Sequence, residues 1–159
     1  VLWPEPLIVP GRLGLLTAPG NPLGISGLAD LARPEVRFIN RNPGSGTRVW
    51  LDAMLQRAGI SPQRIRGYEQ EQMTHLAVAQ AVAQGQVDVG LGLQGAAIPY
   101  GLDFILLTQE HYHLVMPEAV FQRSEVQALV GALAQPEMCQ SIQALGGYDT
   151  SLTGTVTWA

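Results

Sequence analysis

The chain has 159 residues, 47% of them hydrophobic and 14% charged, which suffices for one ordinary core and excludes a chain disordered as a whole. Its net charge of −4 and pI near 5.2 argue against a nucleic-acid-binding surface. No apolar run approaches the ~20 residues that span a bilayer, and a single cysteine, Cys139, cannot close an internal disulfide.

The first ten residues, Val1 to Pro10, carry neither an initiator Met nor a basic segment, and read as the interior of a longer chain rather than a signal peptide. Pro4, Pro6 and Pro10 predict extended, irregular backbone there. Leu13 to Ala18 reads as a short strand ended by the turn Pro19-Gly20-Asn21-Pro22. Ser26 is expected to cap a short helix through Leu28, Leu31 and Ala32, closed by Pro34. Val36 to Ile39 then predicts a strand running into Asn40-Arg41-Asn42-Pro43-Gly44-Ser45-Gly46-Thr47-Arg48. Asn, Pro and two Gly force a tight turn, and Ser45 or Thr47 can cap the helix that follows. Leu51, Met54, Leu55 and Ala58 recur at helical spacing, and Gly59 supplies the left-handed stop.

A helical turn is expected at Gln63 to Ile65. Thr74 is a good N-cap for an Ala/Val-rich helix from His75 to Gln84, ended by Gly85. Val87 to Gly92 reads as a strand whose glycines imply close backbone approach. A short helix from Gln94 to Ile98 stops at Pro99, Phe104 to Leu107 reads as a buried strand, and His111 to Met116 as another. Two helices, Ser124 to Ala134 and Glu137 to Leu145, precede a polar tail rich in turns. Alternation of strands and helices predicts α/β architecture with a mainly parallel sheet, in which ligands bind beyond the carboxyl ends of the strands.

The chemistry concentrates at Ser45, Gly46, Thr47 and Arg48. A Gly-rich turn offering free N–H groups, two hydroxyls and a guanidinium at a helix start is the chemistry of an anion seat. It is neither a P-loop nor a dinucleotide fingerprint, and a plain helix cap uses the same parts. Thr74 and His75 open a second helix that can point at the same place, or simply cap it. His111 and His113 share a strand face with Glu110, too few ligands for a metal site, and Tyr112, Leu114 and Met116 are expected to turn inward. Pro43 to Thr47 is not a nucleophile elbow, no paired acids suggest a glycosidase, and Cys139 reads as packing. Neither catalysis nor a cofactor is required.

Beyond these local readings, several segments together carry a family resemblance: Ala18 to Pro22, Gly27 to Leu31, Arg37 to Arg41, Pro43 to Arg48, Gly67-Tyr68-Glu69, Thr74-His75, Val87 to Gly90, Ala96-Ala97, Gly101 to Ile105, Glu110 with Tyr112, Gly147 to Asp149, and Thr153-Gly154. The chain resembles the substrate-binding-protein-like domain of bacterial molybdate and tungstate systems, within the type 2 periplasmic binding protein superfamily. The resemblance implies two α/β lobes joined by crossing strands, often attached to a DNA-binding domain or to a molybdopterin-biosynthesis enzyme, and hence cytoplasmic, with a periplasmic placement as the alternative. It implies a non-catalytic domain that binds a small oxyanion, molybdate or tungstate, for sensing or uptake. Ser45, Gly46, Thr47 and Arg48 would contact the anion, with Thr74 and His75 at the facing helix end. Neither nucleic-acid contact nor membrane insertion by the domain is implied.

The chain leaves no room before Val1 for a full first lobe, so that lobe is expected to be largely absent. Residues 19–110 are expected to form the second lobe, 11–18 and 111–117 the crossings, and 118–159 the returning helices. A homodimer or further sequence would complete the site. As a separate reading, apolar surface around Trp3 would drive dimerisation or docking, making the chain an interaction module.

Overall fold

The computed structural model describes residues 4–158, which divide into two compact units. One comprises Leu13–Thr108, and the other the N-terminal segment through Arg12 with Gln109–Ala159. The boundary falls inside two long strands, β1 (Pro4–Thr17) and β5 (Asp103–His113). Trp3 and its proposed apolar surface lie outside the described residues.

The Leu13–Thr108 unit is a sheet with helices on both faces. Besides β1 and β5 it contains β2 (Phe38–Arg41), β3 (Glu71–Gln72) and β4 (Val89–Leu93), in the order β3-β2-β4-β1-β5. β2 pairs parallel with β3 and with β4, whereas β1 runs antiparallel to β4, with Leu13 opposite Leu93 and Thr17 opposite Val89. The sheet is therefore mixed, which corrects the expectation of a mainly parallel one. Helical periodicity marks crossovers, and β1 enters the sheet without one.

Period-two alternation sorts the core into two layers. Leu13, Leu15, Phe38, Val89, Leu91 and Leu93 pack on one face against Leu51 and Leu55 of α1 (Gly46–Arg57). Leu16 and Ile39 pack on the other against Val78, Ala79, Ala81 and Val82 of α2 (His75–Ala83). Gly90 makes the close approach of α2 possible: a Cβ there would lie 2.4 Å from Val78 Cγ1. On α1 the anticipated stripe narrows, since Met54 is half-buried and Ala58, the C-cap, is exposed. A short α3 (Gln94–Ala97) continues into a 3-10 turn ending at Gly101.

Several boundaries shift. The helix expected from Ser26 is a 3-10 turn, Leu28–Ala32, capped not by Ser26 but by Asp30 Oδ2, which accepts from the N–H groups of Ser26 and Gly27. Phe104–Leu107 and His111–Met116 are not two strands: β5 runs through Thr108–Glu110, where no Gly or Pro interrupts it, and stops at His113. Phe104–Leu107 is half-exposed rather than buried, and Tyr112 is 41% exposed rather than turned inward.

In the other unit, β1 pairs antiparallel with β6 (Val156–Trp158), a strand the polar tail conceals. Pro4 and Pro6 sit in that ladder rather than in irregular backbone. Arg12 N donates to Gly147 O at 3.3 Å beside a bridge between Gly11 and Tyr148. A short α4 (Glu118–Phe121), not anticipated, precedes α5 (Ser124–Leu133) and α6 (Pro136–Ala144). Phe121 is buried and meets Trp158 edge-on with centroids 5.9 Å apart. Among the described residues, no helix is long and apolar enough to cross a membrane.

Candidate functional site

Three parallel strand ends converge on one edge of the Leu13–Thr108 unit. β2 leads through α1 to β3 on one side of itself, and β3 leads through α2, on the opposite face, to β4 on the other side. Strand order reverses between β2 and β4, and the region beyond the carboxyl ends of the strands at such a reversal is where open α/β sheets bind ligands.

At the end of β2, the turn Asn42-Pro43-Gly44-Ser45 closes through Ser45 N donating to Asn42 O at 3.2 Å, with Gly44 at φ 81°. That left-handed geometry is why glycine stands there. Ser45 is the N-cap of α1: its Oγ donates to Asn42 O at 2.9 Å and accepts from Arg48 N at 3.2 Å. Gly46 lies exposed with open space where a side chain would stand, and Thr47 is buried. The first-turn N–H groups of Gly46 and Thr47 have no intrahelical acceptor, so this end of a 12-residue helix keeps free donors at the positive end of its dipole beside the Ser45 cap.

Arg48 does not point its fork into this turn. Its side chain is 10% exposed. Nε donates to Asp52 Oδ1 at 3.1 Å, Nη1 donates to Arg41 O at 3.3 Å, and the guanidinium lies over the Tyr68 ring, 4.1 Å from its centroid. The Tyr68 hydroxyl donates to the same Asp52 oxygen. Burial first, then that bond to Asp52, raises the Tyr68 pKa. This cluster braces α1 against β2.

Arg41 continues the brace. Its Nε donates to Gln72 O at 3.2 Å and Nη2 to Met73 O at 3.0 Å, fixing the end of β3 two residues before His75. Thr74 then caps α2, its Oγ1 accepting from Ala77 N at 3.0 Å. The two helix starts are thus linked through Arg41: α1 through Arg48, α2 through Met73.

His75 is half-buried, its ring set against β4: a Cβ on Gly92 would lie 3.5 Å from His75 Nδ1. Burial above all, then the neighbouring charge of Arg41, pushes its pKa down to about 4, so the ring is neutral at pH 7. Nδ1 is sealed without a hydrogen-bond partner, as are Asn42 Oδ1 and Gln94 Oε1 on the same edge.

The structure therefore brings Ser45, Gly46 and Thr47 to one helix start and Thr74 and His75 to the other, with Arg48 behind them as a brace. Residue-by-residue reading missed Arg41, Tyr68, Asp52 and Gln94. Arg41 stands next to the turn, but nothing in the sequence says that its side chain crosses to the end of β3. The glycines of β4 did signal close approach, which Gly90 grants to α2 and Gly92 to the His75 ring. His111 and His113 lie elsewhere, ring centroids 6.3 Å apart, and no group of three or more metal-ligating side chains occurs among the described residues.

Comparison with known proteins agrees with this fold. The chain is 38% identical over 151 residues to YvgK of Bacillus subtilis; the match covers 94% of this chain and 48% of YvgK, so the chain spans about half that relative's length. Among solved structures, PEB3 of Campylobacter jejuni with bound L-phospholactate superposes with a TM-score of 0.62 at 20% identity, covering 91% of this chain and 67% of PEB3. The substrate-binding domain assigned to a molybdenum ABC transporter of Clostridium difficile gives a TM-score of 0.62 at 14% identity, covering 91% of this chain and 66% of that one. At such identities the likeness is one of fold. Residues 9–134 match the model of the PBP superfamily domain, and the chain belongs to that family.

Proposed function

We propose that this chain is a non-catalytic domain that binds a small oxyanion at the carboxyl edge of β2, β3 and β4, held by the first turns of α1 and α2. The observation that carries the reading is the pair of side-chain-capped helix starts, at Ser45 and Thr74, linked through Arg41 at the strand-order reversal. Gly46 and Thr47 offer backbone N–H groups, Thr74 its hydroxyl hydrogen, and His75 an uncharged ring. Arg48 acts behind them. Dipoles and neutral donors would thus carry the recognition.

Molybdate and tungstate are the ligands we favour, supported by the resemblance of the sequence segments and by a structural neighbour assigned to a molybdenum transporter. A phosphorylated carboxylate is the second reading, favoured by the L-phospholactate bound to PEB3. The domain would then serve a cytoplasmic sensor, an uptake system or a molybdopterin-biosynthesis enzyme, with residues 19–110 as one lobe of the clamp and the facing half supplied by a second copy or by further sequence.

A thermal-shift panel tests the reading. Ligand at 100 times its Kd adds about 2.7 kcal/mol, a rise of roughly 5–10 °C at about 2–4 °C per kcal/mol. Molybdate, tungstate or L-phospholactate should give such a rise. A melting point unmoved by all of them refutes the proposal.

A further inference from the structure

We propose that His111 and His113, near the end of β5, form half of a zinc site that a second copy of the chain completes, so that one zinc ion joins two copies. The inference does not depend on the oxyanion reading and concerns another part of the chain.

Period-two alternation puts His111 and His113 on one face of β5, and Glu110 and Tyr112 on the other. The Tyr112 hydroxyl donates to Glu110 Oε2 at 2.9 Å, so that carboxylate is turned away from the imidazoles. This corrects the expectation that Glu110 shares their face. Both rings are exposed, with centroids 6.3 Å apart and planes inclined by 48°. Zinc binds imidazole nitrogen at about 2.0–2.1 Å, which sets two rings on one tetrahedral ion roughly 5 Å apart between centroids. Exposed rings close that difference by turning about their side-chain bonds, within ordinary rotamers.

Two imidazoles fall short of a zinc site, which takes three or four protein ligands. Among the described residues no third His, Cys, Asp or Glu joins them. Symmetry supplies the rest. A two-fold axis brings the same patch of a second copy against the first, and the two pairs together make a closed tetrahedral set of nitrogens. The place suits such a contact: β5 stands last in the strand order, and exposed Tyr112 and Val115 add apolar surface beside the rings.

Each copy carries a net charge of −4, so like charge opposes the approach, and a dication between the rings offsets it locally. The dimer should therefore form with the metal and not without it. Imidazole ligands suit zinc, nickel and copper(II), and the tetrahedral arrangement favours zinc.

Light scattering after size exclusion, together with zinc calorimetry, tests this on the chain carrying no histidine tag. Zinc should convert a monomer to a dimer holding one ion per two chains, and EDTA should reverse it. His111→Ala and His113→Ala should each abolish the dimer and weaken zinc binding by at least about tenfold, the loss that even an outer-shell partner causes. Their metal-free melting curves should match that of the parent, since neither ring is buried. Cys139→Ser, which removes the one thiol, should change neither mass nor affinity. A dimer that persists in EDTA, zinc bound to a monomer, no change of mass with zinc, or a zinc response that survives in both histidine variants overturns the inference.

Discussion

Arg48 Nη1 donates to the main-chain carbonyl of Arg41 across 3.3 Å, so the first turn of α1 is held by the residue that ends β2. The Arg41 side chain in turn holds the carbonyl of Met73, two residues ahead of α2. Two guanidinium groups that would suit an anion are committed to main-chain carbonyls, and they position the helix starts.

Replacing Arg48 should therefore act first on stability. Arg48→Ala leaves the Arg41 carbonyl without its side-chain donor and uncovers the Tyr68 ring, an expected loss of about 1–3 kcal/mol in urea unfolding. Arg48→Lys keeps the charge but not the fork or the stacking, and should lose a large part of the same amount. A variant with unchanged stability but abolished anion binding would show instead that the guanidinium reaches the ligand.

The two caps should behave as independent parts. Ser45→Ala and Thr74→Ala each remove the acceptor for one first-turn N–H, Arg48 N and Ala77 N, and each should cost about 1 kcal/mol. Sitting on different helices, they should add in the double variant within about 0.5 kcal/mol. Oxyanion affinity should fall in both, because the freed N–H groups lose their fixed direction.

Two glycines at opposite ends of β2 should differ sharply. Gly67 has φ 93°, and a Cβ there would meet Phe38 O at 2.1 Å, a backbone atom that cannot step aside. Gly67→Ala should cost about 3 kcal/mol or more in thermal unfolding. Gly44, at φ 81°, has open space around it. Gly44→Ala should cost only the left-handed strain of about 1–2 kcal/mol, and a similar loss at both positions would contradict the packing around Phe38.

Stability should depend on pH through His75. Its pKa falls from 6.5 when unfolded to about 4 when folded, so the unfolded chain binds the extra proton between these values. The contribution of the neutral ring is complete above pH 6.5 and is lost as pH falls toward 4, on the order of 2 kcal/mol for a half-buried group. Asp88 acts lower: hydrogen bonds from Arg37 hold its carboxyl below its ordinary 3.8, so its contribution is lost only under that pH. Urea midpoints at pH 4.5, 5.5 and 7 should show the His75 slope, and His75→Gln should flatten it.

The sequence by itself determined the local pieces, because each depends on neighbours along the chain. Ser45 and Thr74 as caps, Gly59 and Gly85 as stops and the apolar spacing of Leu51 and Leu55 follow from short-range hydrogen bonding and helical period, and each is present. Segments that pair at long range were misread. Thr108–Glu110 is strand although its residues mark no element, and Val156–Trp158 becomes strand only because Pro4–Pro6 lies beside it. The candidate site divides the same way. Its hydroxyls and glycines were legible from one stretch, whereas the posts of Arg48 and Arg41 were not. Nothing in the stretch around Arg48 says that the fold brings Asp52, the Tyr68 ring and the Arg41 carbonyl within its reach, nor that the Arg41 side chain reaches the carbonyl of Met73. Long charged side chains take their role from whatever the tertiary structure places at the end of their stem, and that is information no single stretch of sequence holds.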